Sequence, residues 1–468
     1  MMKRNMIIGG SITALALIAA VTPYLVGLKA EKSLRAEHAI LAQELVIPGL
    51  EISLEDYHRG YLGAEAVTAI IYTPEAEDAT PIRLELRHHI SHLPNLAHFA
   101  IASATSELVL PPEIQAVANK YLKGQPPLTI KSYIRFTGTQ VAFLDSPAFK
   151  APLGDKTTVE WKGIAAHSTR SGNSNTITND VTMPGAVVTS DVDGFSFNDM
   201  HYKTDMKRGS YDLWFGTSQA SVKSLQFSSN QVNDTRNVAI NDLHLNSEQK
   251  EEGPVTNGNV VFQFGKSRFD DMNVESALYD FEYRNFDTKT LSDLQTTIKQ
   301  AYTGNDEAML GAAILGSLPS LLKTKPEINV RRFEVKSSLG NFNGKFHLAF
   351  AGEWNDGMMR NPMAILPMLN ADLDISVTKT LLVSLGRSEM RSSIADMAEM
   401  QGEDLTAEEI DAMAQERATQ QLEVLAANEY LLDKGDLYTT KIHFEKGQLT
   451  INGKSANELL GPTVRSAR

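Results

Sequence analysis

The chain has 468 residues, 44 Lys plus Arg against 57 Asp plus Glu, a formal net charge of −13 and no cysteine. The missing thiol excludes disulfides, thiolate metal sites, iron–sulfur clusters and a cysteine nucleophile. The acidic balance, with no Lys/Arg cluster, argues against nucleic acid as a partner, while 42% hydrophobic and 22% charged residues describe a folded chain with ample core-forming material.

Met6–Leu28 is a run of 23 residues without a charged side chain, preceded by Lys3 and Arg4. As a helix it would reach about 34 Å, enough for roughly 30 Å of hydrocarbon. Ile18-Ala19-Ala20 is a weak cleavage signal, and the apolar run continues past it. The expectation is an uncleaved anchor in a bacterial inner membrane, with its amino end cytoplasmic and the body periplasmic. Lys29 to about Leu45 mixes charged and apolar residues at helical spacing until Pro48-Gly49 breaks it.

From Leu50 to about Asn285 the dominant pattern has period two. Examples are Leu50/Ile52/Leu54, Ile130/Tyr133/Ile134, Phe195/Phe197 and Val238/Ile240. Polar and Gly clusters such as Ser171–Asn175 separate the runs, which predicts antiparallel strands with one wet face. A short helix is expected at Pro112–Leu122. Thr288–Lys323 switches to helical spacing in two pieces, with Gly304 ending the first and Asp306 capping the second. Glu327–Glu353 returns to strands. Thr406–Leu431 is the clearest helix, opened by a Thr406/Glu409 capping box. The chain closes in a hairpin at Glu445-Lys446-Gly447, with a second turn at Asn452-Gly453.

These elements predict a β-dominated α+β fold. It would have one N-terminal transmembrane helix, then an elongated curved antiparallel sheet with covering helices over Thr288–Leu322 and Thr406–Leu431. The expected segments are a cytoplasmic tip and anchor over 1–28, a helical connector over 29–48 and a mainly antiparallel β region over 49–285. A helical segment over 286–326, a β region over 327–377, a helical segment over 378–436 and a C-terminal hairpin and tail over 437–468 follow.

Several short motifs carry chemistry elsewhere and read as structure here. His88, His89, His92 and His98 cluster without a completing carboxylate, so a strand end is the simpler account than a metal site. Asp191-Val192-Asp193-Gly194 lacks the remaining calcium-loop ligands, and Gly340–Lys345 is one residue short of a phosphate loop and reads as a turn. Ser320-Leu321-Leu322-Lys323 lacks the partner motifs of penicillin-recognising enzymes. The candidate functional turn is Tyr57-His58-Arg59-Gly60, followed by Tyr61: two phenols, an imidazole and a cation around a flexible glycine.

With that turn, the chain resembles the YdgA-like bacterial inner-membrane and periplasmic proteins of unknown function. The resemblance also rests on the N-terminal span, on Asn361-Pro362 through Leu369–Val377, and on the closing stretch Tyr438–Ile442 with Gly447–Lys454. Within it, Gly447, Leu449, Thr450, Asn452 and Gly453 form the family-like C-terminal motif. His92-Leu93-Pro94 departs from the family's His-Gly-Pro. The resemblance implies location and architecture, and no reaction.

The expected function is that of a membrane-anchored periplasmic envelope protein without a catalytic site or cofactor. Its expected partners are the inner membrane through residues 6–28 and an apolar ligand such as a lipid, or a partner protein, held between sheet and helices. A homo-oligomeric scaffold, as a homodimer, is the alternative. An envelope hydrolase using His58, His92 and Asp56 is a third reading, from a different class.

Overall fold

Alternating residues bury on one side and face water on the other, and the strands follow that pattern through most of the chain. The structure, a computed structural model, describes residues 23–32, 34–35, 38, 49–73, 80–153, 156–231, 234–269, 272–304, 307–359, 362–401 and 405–460. The chain divides into two units, Met1–Asp191 with Asn198–Gly209 and Gln295–Gly311, and Val192–Phe197 with Ser210–Leu294 and Ala312–Arg468.

The first unit opens with helix α1 (residues 23–32, with 34, 35 and 38 also helical). Then come β1 (Leu50–Arg59), β2 (Gly63–Tyr72), β3 (Ile82–Ser91), β4 (Ala100–Val109) and α2 (Pro112–Leu122). Next are β5 (Thr129–Arg135), β6 (Gln140–Ser146), β7 (Phe149–Leu153), β8 (Thr157–Trp161), β9 (Ile164–Arg170) and β10 (Thr176–Thr189). β1 to β6 pair antiparallel in chain order, β6 pairs β9, β9 pairs β10, and β8 joins β10 to β7. Sequential pairing needs only short connections, the favoured solution for antiparallel strands.

β11 (Asp193–Arg208) is divided between the units. The second unit continues with β12 (Trp214–Gln231), β13 (Asp234–Glu252), β14 (Val255–Phe264), β15 (Ser267–Phe269) and β16 (Met272–Asp287). α3 (Thr288–Gly304) and α4 (Glu307–Lys323) are again divided between the units. β17 (Glu327–Ser337), β18 (Gly340–Phe350), β19 (Leu369–Thr378), α5 (Lys379–Gln401), α6 (Ala407–Ala427), β20 (Leu432–Lys434), β21 (Leu437–Glu445), β22 (Gln448–Ile451) and β23 (Lys454–Ser455) complete it. The ladder runs β12–β13–β14–β16–β17–β18–β19–β21, all antiparallel, with β15 bridging β13 and β16.

The capping box forms as the spacing predicts. Thr406 N–H donates to Glu409 Oε2 at 2.8 Å, and Glu409 N–H donates back to Thr406 Oγ1 at 3.3 Å. α2 and α3 occupy the expected residues. The proposed cap Asp306 lies outside the described residues.

The predicted fold needs two corrections. The first concerns the transmembrane helix over 6–28. Residues 6–22 lie outside the described residues, and among the described residues no helix is long and apolar enough to cross a membrane. The last part of the run instead belongs to α1, which packs on protein. Pro23, Gly27 and Ala30 are buried, with Leu34 and His38 half-buried below them, a helical spacing that makes one face. Ala30 packs with Ala64 and Ile90, with Leu34, Tyr57 and Ala104 around them. Sequence hydropathy reads this small apolar stripe as lipid-compatible, yet the same stripe suits an alanine-rich sheet.

The second correction concerns the covering helices. α6 packs on α5, and α5 in turn meets the sheet at β18 and β19. β19 runs directly into α5, so α5 is the helix that the connection delivers to the sheet. α4, apolar in composition, leaves Ile314 and Leu315 exposed.

Candidate functional site

The Tyr57–Gly60 segment is the end of a strand more than a turn. Tyr57, His58 and Arg59 finish β1, and the chain reverses at Gly60–Leu62, where Gly60 N–H donates to the Gly63 carbonyl at 2.8 Å. Period-two geometry then separates the four residues. Tyr57 and Arg59 turn toward α1. Arg59 pairs with Glu31 at 3.2 Å and lies over the Tyr24 ring at 5.4 Å, while the Arg35 guanidinium lies 5.8 Å from the Tyr57 ring centre. Among the described residues the buried Tyr57 hydroxyl has no hydrogen-bond partner, and burial, with Glu31 nearby, pushes its pKa up. His58 points the other way, exposed, 3.5 Å from Asp56.

The four clustered histidines also diverge. His89 is exposed beside Glu65 at 3.7 Å, and His98 stacks on Tyr133 at 4.0 Å between ring centres. His92 is fully buried, its Nδ1 3.4 Å from the Tyr61 carbonyl and its Nε2 without a partner among the described residues. Gly27 of α1 lies against that ring, where a Cβ would come within 2.6 Å of the imidazole. Asp56 and His58 therefore share no cleft with His92. Among the described residues no group of three or more His, Asp or Glu side chains is placed to hold a metal ion.

His88 belongs to a different arrangement, which crosses three strands and reaches α1. Its Nδ1 lies 2.7 Å from Ser106 Oγ on β4 and its Nε2 lies 2.7 Å from Thr68 Oγ1 on β2. Thr68 Oγ1 is 2.6 Å from His38 Nε2, and His38 Nδ1 is 2.8 Å from the Leu34 carbonyl oxygen. A carbonyl can only accept, so His38 Nδ1–H donates to Leu34. Beyond it the row can run either way: Thr68 Oγ1–H donates to His38 Nε2 and accepts from His88 Nε2–H, or accepts from His38 Nε2–H and donates to His88 Nε2. Thr68, His88 and Ser106 are buried. Burial first, then the proximity of His38 and His89, lowers the His88 pKa to about 4. Sequence reasoning missed this row. Only strand register places Ser106 opposite His88, and only the docking of α1 adds His38.

The C-terminal motif builds turns. Lys446-Gly447 and Asn452-Gly453 each have positive φ at both positions, the backbone of the two-residue hairpin turn that Asn-Gly suits best. Asn452 ties the hairpin to the end of α6. Its side-chain amide donates to the Glu429 carbonyl at 2.7 Å, and its Oδ1 accepts from Lys441 N–H at 2.8 Å. Leu449 N–H donates to Asn457 Oδ1 at 2.8 Å, and Thr450 lies on β22 opposite His443. At that hairpin His443 Nδ1–H donates to Asp372 at 2.7 Å, which raises the imidazole pKa.

The second unit carries the arrangement best suited to a ligand. On one face of β14, β16 and β17, register aligns Phe264 with Ala277 and Val335, Phe262 with Tyr279 and Phe333, and Val260 with Phe281 and Val330. The rows continue onto β18 and β19 through Phe342 with Val377 and Phe346 with Leu373. The rings touch: Tyr279–Phe333 at 5.8 Å, Phe333–Phe342 at 5.0 Å and Phe262–Phe264 at 5.9 Å between centres. Val377 and Leu381, where β19 meets α5, are buried, as is Phe350 at the other end of β18, but Leu245 is 37% and Phe333 40% exposed, and most of the rings are half-buried. The opposite face is polar, with Asp280 buried against Arg331 at 2.6 Å. A shallow cavity of about 370 Å³ on that side is lined by His244, Gln263, Glu334 and Lys336.

No curated protein and no solved structure matches the chain. The family described as "Bacterial protein of unknown function (DUF945)" matches residues 1–458. With nearly the whole length matched, the chain belongs to that bacterial family.

Proposed function

We propose that this is a non-catalytic protein of the bacterial cell envelope, acting in the periplasm, whose second unit holds an apolar ligand, a lipid acyl chain, on the face of β13–β17. The observation that supports this reading is the continuous row Leu245–Phe262–Tyr279–Phe333, which remains part-exposed although each residue lies among other apolar side chains. Contiguous apolar surface of this kind marks ligand or partner binding more often than ordinary surface. None of the largest fully buried side chains among the described residues, Met358, His92, Thr256 and Thr288, is a phenylalanine, tyrosine or tryptophan. In that row Phe333 is exposed and Phe262 and Tyr279 are half-buried. Flat rings and branched aliphatics present many weak contacts and no directional demand, which suits a flexible hydrocarbon. The YdgA-like affiliation read from the sequence belongs with this proposal.

The test is native mass spectrometry of the full-length protein from mild detergent, with solvent extraction of any adduct. An added mass that survives activation and extracts as a lipid supports the reading. A bare chain that also fails to brighten the apolar probe N-phenyl-1-naphthylamine overturns it. A bare mass at twice the chain favours a homodimeric scaffold instead.

A further inference from the structure

We propose that one rim of the first unit's sheet docks on a lipid bilayer surface with anionic headgroups, through the apolar side chains of its strand connections and of the first turns of α1. Antiparallel pairing in chain order puts alternate connections at the same rim. The β1–β2 turn at 60–62, the β3–β4 connection at 92–99, the β5–β6 turn at 136–139 and the β9–β10 turn at 171–175 all lie there. Hydrogen bonds join neighbours along it. His92 N–H donates to the Leu62 carbonyl at 2.9 Å, and Phe136 N–H donates to the Phe99 carbonyl at 3.3 Å.

The connections carry Tyr61, Leu62, Leu93, Leu96, Phe99 and Phe136, all exposed. Leu96 is 78% and Phe99 75% exposed, and among the described large apolar residues only Met400 exceeds them. The loop that presents them is braced. Asn95 and Ala100 exchange both backbone hydrogen bonds, at 2.8 and 2.9 Å, and Asn95 Oδ1 accepts from His98 N–H at 3.3 Å. Phe99 closes the Leu96–His98 helical turn in the left-handed region, at φ 49°, where a bulky residue is strained. A strained phenylalanine held outward gains little from packing within the unit.

Two further observations name the occupant. The chain enters α1 at this rim: Gly27 lies on the His92 ring and Arg59 lies over Tyr24, whereas His38 reaches Thr68 farther along β2. Tyr24, Leu25 and Leu28 are exposed, and residues 6–22, which carry no charged side chain, lead directly into them. The charge is also one-sided. The four connections hold no Asp or Glu, while β1, β5 and β9 end in Arg59, Arg135 and Arg170. Arg208, the last residue of β11, donates its N–H to the Asn175 carbonyl at 2.8 Å and adds a fourth arginine. Residues 73–81, which join β2 to β3 from the other rim, are the reverse, with Glu75, Glu77 and Asp78 and no Lys or Arg. Rings and leucines backed by cations suit the boundary between acyl chains and lipid phosphates. A second copy meeting this rim with its own would bring arginines and no carboxylates to pair them.

The chain has no cysteine, so a single introduced one is labelled at one place. Full-length protein with Leu96→Cys, carrying the environment-sensitive dye NBD, is reconstituted into vesicles of phosphatidylcholine with phosphatidylglycerol. Thr80→Cys, exposed at the other rim, is the reference. Nitroxide lipid should quench the label at 96 about threefold more than the label at 80. Phe99→Asp with Phe136→Asp should abolish that excess, and because both side chains are exposed, the amide protection of β2–β4 should not change. Equal quenching at 96 and 80 overturns the proposal. An excess that survives the two aspartates does so too, since residues 6–22 alone would then carry the rim to the bilayer. So does a label at 96 shielded from aqueous iodide but untouched by nitroxide lipid, which would mean that protein, a second copy or residues 6–22, covers the rim.

Discussion

The face of β2–β4 beneath α1 is built from Ala64, Ala66, Thr68, His88, Ile90, Ala102 and Ser106, whereas the face of β14–β17 carries Phe262, Phe264, Tyr279, Phe281 and Phe333. Both are the inward side of an antiparallel sheet. Small side chains let a helix backbone come close, and that closeness makes unpaired polar groups expensive, so the hydroxyls and imidazoles there form a closed row. Large rings hold a neighbour at a distance and leave surface between them. The first face is covered by the protein's own helix, and the second stays part-exposed. Size of side chain, more than hydrophobicity, separates the two.

The most direct test of that contrast is Thr68→Val. It keeps the shape and removes the central hydroxyl, leaving one buried and one half-buried imidazole nitrogen without that partner, and should cost the first unit about 2 kcal/mol. Urea unfolding followed by exchange on β2–β4 measures it. A cost near zero would mean that the row does not hold the face together.

Acid should follow closely. The His88 pKa is about 4 in the folded chain and near its ordinary 6.5 when unfolded, so the unfolded state takes up more protons between those values. The contribution of neutral His88 is intact above pH 6.5, declines as the pH falls below it, and is gone near pH 4, a loss of up to about 3 kcal/mol. A stability profile flat from pH 7 to pH 4.5 in β2–β4 would contradict it.

On the second face the expected effects are on binding first. Tyr279→Ala with Phe281→Ala should weaken N-phenyl-1-naphthylamine binding about tenfold, or about 1.4 kcal/mol, as read by fluorescence titration. Equal affinity would move the ligand site elsewhere. The smallest effect is expected for Phe333→Ser, since Phe333 is already 40% exposed. Its stability cost should stay below about 1 kcal/mol, measured by thermal melting beside the probe titration. A larger cost would mean that this face is core and not surface.

Much of the fold was legible from pattern. Alternation located the strands, Gly304 ended α3, the Thr406/Glu409 box began α6, and Asn452-Gly453 marked a turn whose torsion angles require such residues. The aromatic face was available to the same reading, because Val260/Phe262/Phe264 and Tyr279/Phe281/Tyr283 alternate in the sequence. The candidate site at Tyr57–Gly60 was drawn as one cluster because its residues are neighbours in sequence. In a strand, neighbours point apart. His58 went to solvent while Tyr57 and Arg59 went to α1.

Local residue order thus determined where strands, turns and helix caps form, since those depend on side-chain period and backbone freedom within a few residues. Tertiary structure decided which faces meet. The apolar stripe of Gly27 and Ala30 fits a lipid environment or an alanine-lined sheet equally well by hydropathy, and only the docked helix chose the sheet. His38, Thr68, His88 and Ser106 lie far apart in the chain, and only register and docking bring them into one hydrogen-bonded row.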